Sequence, residues 1–144
     1  MQIQLERNNE AVHLVAKNEE EHEVQLDGSD KIGGQNLGFR PMQMLLVALG
    51  SCASMDVLSI LKKQRQNIES YSVVVNGDRE VDKVPSLFID IHVRFEFTGV
   101  LDESKIRRAI ELSMGTYCSV TKTLEKTAHI TSSFILNNHE EKRI

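Results

Sequence analysis

From Pro41 to Leu61 the chain presents apolar side chains on nearly every face of a helix, interrupted only by Gln43, Gly50, three serines and Asp56. A helix this apolar must be enclosed by other protein rather than lie on a surface. Pro41 suits its first turn, where a missing N–H costs nothing. The helix is expected to run to about Gln66. Lys62, Lys63 and Arg65 close it, complementing the negative end of the helix dipole. The run is long enough to raise the question of a membrane. Asp56 answers it, because an aspartate at the bilayer centre costs about 3 kcal/mol. The expectation is a core helix wrapped by protein on most sides, and no membrane partner.

Around that helix the patterning is mixed. Val12, Leu14 and Ala16 alternate with His13, Val15 and Lys17, and Val24 and Leu26 repeat the alternation after Glu19-Glu20-Glu21, so residues 1–26 read as short strands. Residues 27–40 carry glycines at 28, 33, 34 and 38 but neither Gly-x-Gly-x-x-Gly nor Gly-Lys-Ser/Thr, and read as a flexible connection. Strands are expected over 70–81 and 86–98, about the turn Asp82–Pro85. In the second, Leu87, Ile89, Ile91, Val93, Phe95 and Phe97 face one way, and Asp90, His92, Arg94 and Glu96 the other. That alternation predicts an antiparallel sheet with one covered face. A helix over 102–117 would bury Ile106, Ala109, Ile110, Ser113, Met114 and Tyr117. Ser119 would cap a short helix over 120–126, residues 128–136 would form a last strand, and 137–144 a polar tail. The result is one α+β domain, residues 1–136, followed by that tail.

Composition removes several functions. The chain has 144 residues and a net charge of -4, so it has no cationic surplus to neutralise a phosphate backbone. Trp is absent and only Tyr71 and Tyr117 are present, which leaves nucleic-acid bases little to stack on. The opening Met-Gln-Ile-Gln-Leu-Glu has neither the basic nor the apolar part of a secretory signal. Two cysteines without such a signal suit a reducing cytoplasm, where thiols stay free or turn over. Metal chemistry is not indicated: the chain has no Cys-x-x-Cys, His-x-x-x-His or His-Glu-x-x-His. His13, His22, His92, His129 and His139 read as solvent-facing, and no other cofactor is called for. Gly50-Ser51-Cys52 also lacks the Gly-x-Ser-x-Gly elbow of a serine nucleophile.

The two cysteines remain. Cys52 is either a small core hydrophobe, the commoner fate of a buried thiol, or a working nucleophile. It stands about 16 Å along the helix from Pro41, out of reach of the N-terminal dipole. Asp56, at i+4, would oppose its ionisation. A thiolate there needs a cation from elsewhere in the fold or from a second subunit. Arg40 is too far along the same helix to supply it within one chain. Cys118 precedes the short helix opened by Ser119, so on sequence alone it is the more acidic thiol.

Pro41-Met-Gln-Met-Leu-Leu-Val-Ala-Leu-Gly-Ser-Cys52, followed by Asp56-Val57 and Lys62-Lys-Gln-Arg65, resembles the central helix of the OsmC/Ohr-like proteins. Tyr117-Cys118-Ser119-Val120 with Leu124 resembles their second cysteine motif, and Gly77-Asp78-Arg79, Pro85 and the strand around His92 fall in the expected order. The resemblance covers about residues 10–136. It implies two antiparallel sheets around two central helices, in an intertwined homodimer with sites at the subunit interface. It also implies thiol-dependent reduction of organic or hydrogen peroxides. By that analogy Cys52 attacks the peroxide and becomes a sulfenic acid, Cys118 resolves it to a disulfide, and an external dithiol reduces the disulfide. Arg7 and Arg40 are the cations implied for Cys52. Phe39, Met42, Gln43, Leu45 and Met55, with Met44 and Ala48, would suit an apolar substrate. The well-characterised peroxidases of the family carry Glu directly after the helix-starting Pro, and related members carry it one position later. Here those positions are Met42 and Gln43, which places the chain nearer the less characterised OsmC-like branch. Two other functions fit the same scaffold: an apolar-ligand or stress protein without turnover, and a redox sensor for a protein partner.

Overall fold

The computed structural model describes residues Met1–Ile144 as an α+β chain of seven strands and three α-helices. Its contacts gather into two compact units, Met1–Leu45 and Leu46–Ile144.

In the first unit β1 (Gln4–Arg7), β2 (Leu14–Lys17) and β3 (Glu23–Leu26) form an antiparallel meander, in the short stretches that alternation indicated. His13 corrects the sequence reading. It is buried rather than solvent-facing, and its Nε2 meets Gln25 Oε1 at 2.6 Å. The glycine-rich loop after β3 is not a slack connection either. The buried Asp27 carboxylate accepts backbone N–H bonds from Gly28 (2.7 Å), Gln35 (2.9 Å) and Leu37 (3.0 Å). These bonds, Leu37's above all, hold the Asp27 carboxyl below the usual carboxylate range. Gly38 completes the loop by close approach: a Cβ there would lie 2.4 Å from the Gln25 carbonyl oxygen. Pro41 then opens α1 (Pro41–Lys63), with the Gln43 side-chain oxygen accepting the Arg40 N–H at 2.9 Å, one half of a capping box.

The second unit is built on the sheet β4-β5-β6-β7. β4 (Asn67–Arg79) and β5 (Phe88–Val100) pair antiparallel, as expected. β6 (His129–Leu136), however, runs parallel to β5, so the sheet is mixed. Residues 103–124 make the parallel crossover, which needs about a dozen residues or more: α2 (Glu103–Leu112), a π-turn (Ser113–Tyr117) and α3 (Ser119–Leu124). The end of the polar tail adds a short edge strand, β7 (Lys142–Arg143), antiparallel to β6. Glu141 just before it accepts from Ser133 Oγ at 2.6 Å. His92 bridges Thr131 Oγ1 (2.7 Å) and Ser133 Oγ (2.8 Å) beside it, and so is a sheet-face cross-link rather than a free histidine.

Ile91, Val93, Phe95 and Phe97 of β5 are buried with Leu49, Ala53, Val57 and Leu61 of α1 and Ile106, Ala109 and Ile110 of α2. The sequence alternation extended that face to Leu87 and Ile89, and there it fails. The pairing shifts between Asp78 and Arg79, an irregularity that puts Phe88 inside and leaves Leu87 and Ile89 each 43% exposed. One extra residue in a strand reverses the inward and outward phase. α1 differs from expectation as well. It is long and apolar enough to cross a membrane, yet only 28% of its most apolar stretch is buried, because within one chain only one stripe of the helix is covered.

The bulge gives a direct check. Ile91→Ala should cost about 2–5 kcal/mol, as for a fully buried isoleucine, and Ile89→Ala about 0.5 kcal/mol or less. Equal losses in denaturant unfolding would mean that the sheet keeps the uninterrupted register.

Candidate active site

Cys52 and Cys118 are delivered by two different devices. α1 lies closely on β4 because residue 50 is glycine: a Cβ at Gly50 would sit 2.9 Å from Val75 Cγ2. The same face is tied by a buried hydroxyl relay. Tyr71 OH donates to Ser54 Oγ at 2.6 Å, and Ser54 Oγ donates to the Gly50 carbonyl at 2.6 Å. Burial pushes the Tyr71 phenol up to about 12. Cys52 lies between the buried Gly50 and Ala53, at the margin of the covered stripe, and is half-buried.

Cys118 arrives by a break in helical phase. Continued α-helical spacing from Ile106 and Ile110 would bury Tyr117. Instead the turn Ser113–Tyr117 is a π-turn, in which the Cys118 N–H donates to the Ser113 carbonyl at 2.9 Å. The extra residue advances the phase, so Cys118 is wholly buried and Tyr117 is 56% exposed. Cys118, not Ser119, then caps α3, its sulfur accepting the Thr121 N–H at 3.4 Å. Thr121 Oγ1 donates in turn to Met114 Sδ at 3.8 Å.

The two thiols are neighbours and both are free. Burial pushes the Cys118 thiol up, and the side-chain hydrogen bond and charge of Cys52 push the same way. The Thr121 donors pull down but do not offset them. The sequence expectation of an acidic Cys118 is therefore reversed. The helix end is where it was expected, but one N–H and a six-residue helix cannot replace the water that a thiolate loses on complete burial. Asp56 is occupied by Ser113, whose Oγ lies 3.3 Å from Asp56 Oδ2 and 3.2 Å from the Ala53 carbonyl. From sequence Ser113 was expected only on the buried face of its helix, and Thr121 and the Tyr71–Ser54 relay were not singled out; the contacts of all of them join separate elements. No group of three or more His, Cys, Asp or Glu side chains comes together as a metal site.

The other expected site residues, apart from Ala48 and Met55, belong to the first unit. Arg7 Nε donates to the Ala11 carbonyl at 2.9 Å and its Nη2 to the Glu10 carbonyl, so this guanidinium pins the turn after β1. Arg40 is exposed and Met42 half-buried. Phe39 and Gln43 share a groove of 590 Å³ with Val24 and Leu37, and Leu45 is partly exposed. Met55, one turn beyond Cys52 on α1, is 71% exposed.

A sequence profile of the OsmC-like protein family matches residues 33–133, a span holding both cysteine motifs. The chain belongs to the OsmC-like family. Protein YhfA of Escherichia coli strain K12 is 37% identical over 114 residues, which are 78% of this chain and 81% of YhfA. A crystal structure of a hypothetical protein from Aquifex aeolicus VF5 is similar over 96% of this chain and 97% of its own, with 29% identity and a TM-score of 0.82. An organic hydroperoxide resistance protein from Elizabethkingia anophelis shares the fold over 95% of this chain and 97% of its own, with a TM-score of 0.71 at 11% identity. The α+β fold with two sheets and their helices is therefore that of the OsmC-like proteins.

The unequal burial of the thiols sets an expectation for labelling. In the native protein at neutral pH a small alkylating agent should modify Cys52 and spare Cys118, as mapped by mass spectrometry of peptides. The sign for stability follows from Cys118 holding its proton more tightly when folded. The contribution is fully present below the unfolded thiol value of about 8.5 and declines as pH rises through the folded value. Cys118 labelling as fast as Cys52 at pH 7 would contradict this geometry.

Proposed function

We propose that this chain is a thiol-dependent peroxidase that reduces organic hydroperoxides or hydrogen peroxide. The observation that carries the reading is the pairing of a half-buried Cys52 with a buried neighbouring Cys118. One thiol is open to a substrate, and the other is shielded until the first has reacted. The Cys52 thiolate attacks one peroxide oxygen, the O–O bond breaks, and the alkoxide leaves as alcohol with a proton from solvent. Cys118 sulfur then displaces the hydroxyl of the Cys52 sulfenic acid, which leaves as water, and a disulfide forms. Two thiols from an external dithiol reduce it. Family membership and the shared fold of a hydroperoxide resistance protein support this chemistry.

In this reading the working form is a homodimer in the cytoplasm. Its support is α1, where Val47 (42% exposed) and Met55 (71% exposed) are apolar surface that a second copy would cover. The cation required by Cys52 is assigned to Arg7 or Arg40, and Phe39, Met42, Gln43, Leu45 and Met55 to the apolar substrate. Gln43 and Met42 stand where relatives place Glu, so the arginine acts without that carboxylate partner. The groove beside Phe39 favours a second reading, binding of an apolar ligand without turnover.

The deciding experiment follows peroxide loss and intact mass after adding a small excess of an organic hydroperoxide to the reduced protein. The expected result is rapid loss with a mass decrease of two hydrogens. Cys52→Ser should abolish both, and Cys118→Ser should leave Cys52 to accumulate sulfinic and sulfonic acid. Arg40→Gln and Arg7→Gln separate the two cations, and the one that activates Cys52 should cost at least tenfold in rate. Unmodified thiols under excess peroxide, with ligand binding indifferent to Cys52→Ser, would transfer the protein to the second reading.

A further inference from the structure

We infer that Ser113 is a positioning residue that holds the two cysteines in register for disulfide formation, an inference that rests on the dithiol reading above. Ser113 is wholly buried and joins both cysteine-bearing segments. Its carbonyl accepts the Cys118 N–H at 2.9 Å, and its hydroxyl reaches α1 at the Ala53 carbonyl (3.2 Å) and Asp56 Oδ2 (3.3 Å). Ala53 directly follows Cys52. One residue thus fixes the rise and rotation of the π-turn against the turn of α1 that carries the other thiol.

The geometry explains why a hydroxyl is used there. A buried hydroxyl must be hydrogen-bonded or it costs stability, and alanine would pack at this position and is the better helix former. A disulfide tolerates only a narrow range of Cα separations and dihedral angles, and a small misplacement of reacting groups costs rate steeply. α2 and the π-turn could slide along α1 on apolar contacts alone. The hydroxyl bridge opposes that slide, and because the carbonyl of the same residue holds Cys118, the constraint passes directly to the thiol. Ser113 touches no substrate in this arrangement. Its effect falls on the second step, when Cys118 sulfur attacks the Cys52 sulfenic acid and water leaves.

The test compares wild type, Ser113→Ala and Ser113→Thr in buffers of reduced and oxidised glutathione, where the dithiol and one oxidised glutathione exchange for the protein disulfide and two reduced glutathiones. Wild type should form the Cys52–Cys118 disulfide. Ser113→Ala should lower the equilibrium constant for it at least tenfold, a shift of about 30 mV for a two-electron couple. Ser113→Thr, which keeps the hydroxyl, should stay within about threefold of wild type, and thermal melting checks that both variants fold. With hydroperoxide, Ser113→Ala should form the Cys52 sulfenic acid at the wild-type rate, measured by trapping with a carbon nucleophile, but yield more sulfinic acid. A Ser113→Ala protein with the wild-type equilibrium constant and sulfinic acid yield would overturn the positioning role while leaving the dithiol reading intact. A wild-type protein that forms no disulfide in the oxidising buffer would overturn both.

Discussion

One hydrogen bond, from the Cys118 N–H to the Ser113 carbonyl, decides where the second thiol goes. It spans five residues instead of four, and that single additional residue rotates the end of the crossover so that Cys118 points inward and Tyr117 outward. With an unbroken α-helix over the same residues, Tyr117 would occupy the inward position. The π-turn also ends α2 early enough for Cys118 to begin α3, which gives its sulfur the Thr121 N–H as a partner. The position and partner of the thiol, and its reluctance to ionise, thus follow from one local departure in helical pitch.

The first thiol depends on the fit of α1 to the sheet. Gly50 allows the helix to come close to Val73 and Val75 of β4, and Ser54 and Tyr71 lock it there through a buried hydroxyl chain. Both fall within one turn of Cys52, so the elements that hold the helix also set how far its thiol is open. The stripe buried inside one chain is narrow, and the helix remains more apolar than a surface helix can be. Val47 and Met55 remain apolar surface on this helix.

The start of α1 is closed without a charged residue. Its first turn carries Met42 and Gln43 and no acidic side chain. The Gln43 side-chain oxygen closes the helix start by accepting the Arg40 N–H. A neutral cap there satisfies the backbone at the helix start. Arg7, the N-terminal arginine implied by the family, is committed to the carbonyls of Glu10 and Ala11.

Much of this was legible in the residues. Period-two alternation located β2, β3 and β5, in which alternate residues are the more covered ones. The apolar run located α1, opened by Pro41 and closed by Lys62 and Lys63, although only one stripe of it is covered within the chain. The two cysteine motifs pointed to the family because they combine small residues, a helix start and a thiol at fixed positions. What alternation could not reveal was the irregularity that turns Leu87 and Ile89 outward, since a bulge changes pairing and leaves composition unchanged. Nor could it show that β6 is parallel to β5, or that His13 and His92 are engaged, because both depend on which strands meet. The acidity of Cys118 was misjudged for the same kind of reason. The helix N-terminus that favours a thiolate is written in the local sequence, but the burial that outweighs it comes from how the crossover packs. Sequence by itself determined which residues form helices, strands and thiols, because those preferences act over a few neighbours. Only the tertiary structure decided that Cys52 and Cys118 meet, since residues so far apart along the chain are brought together by packing and hydrogen bonds between segments.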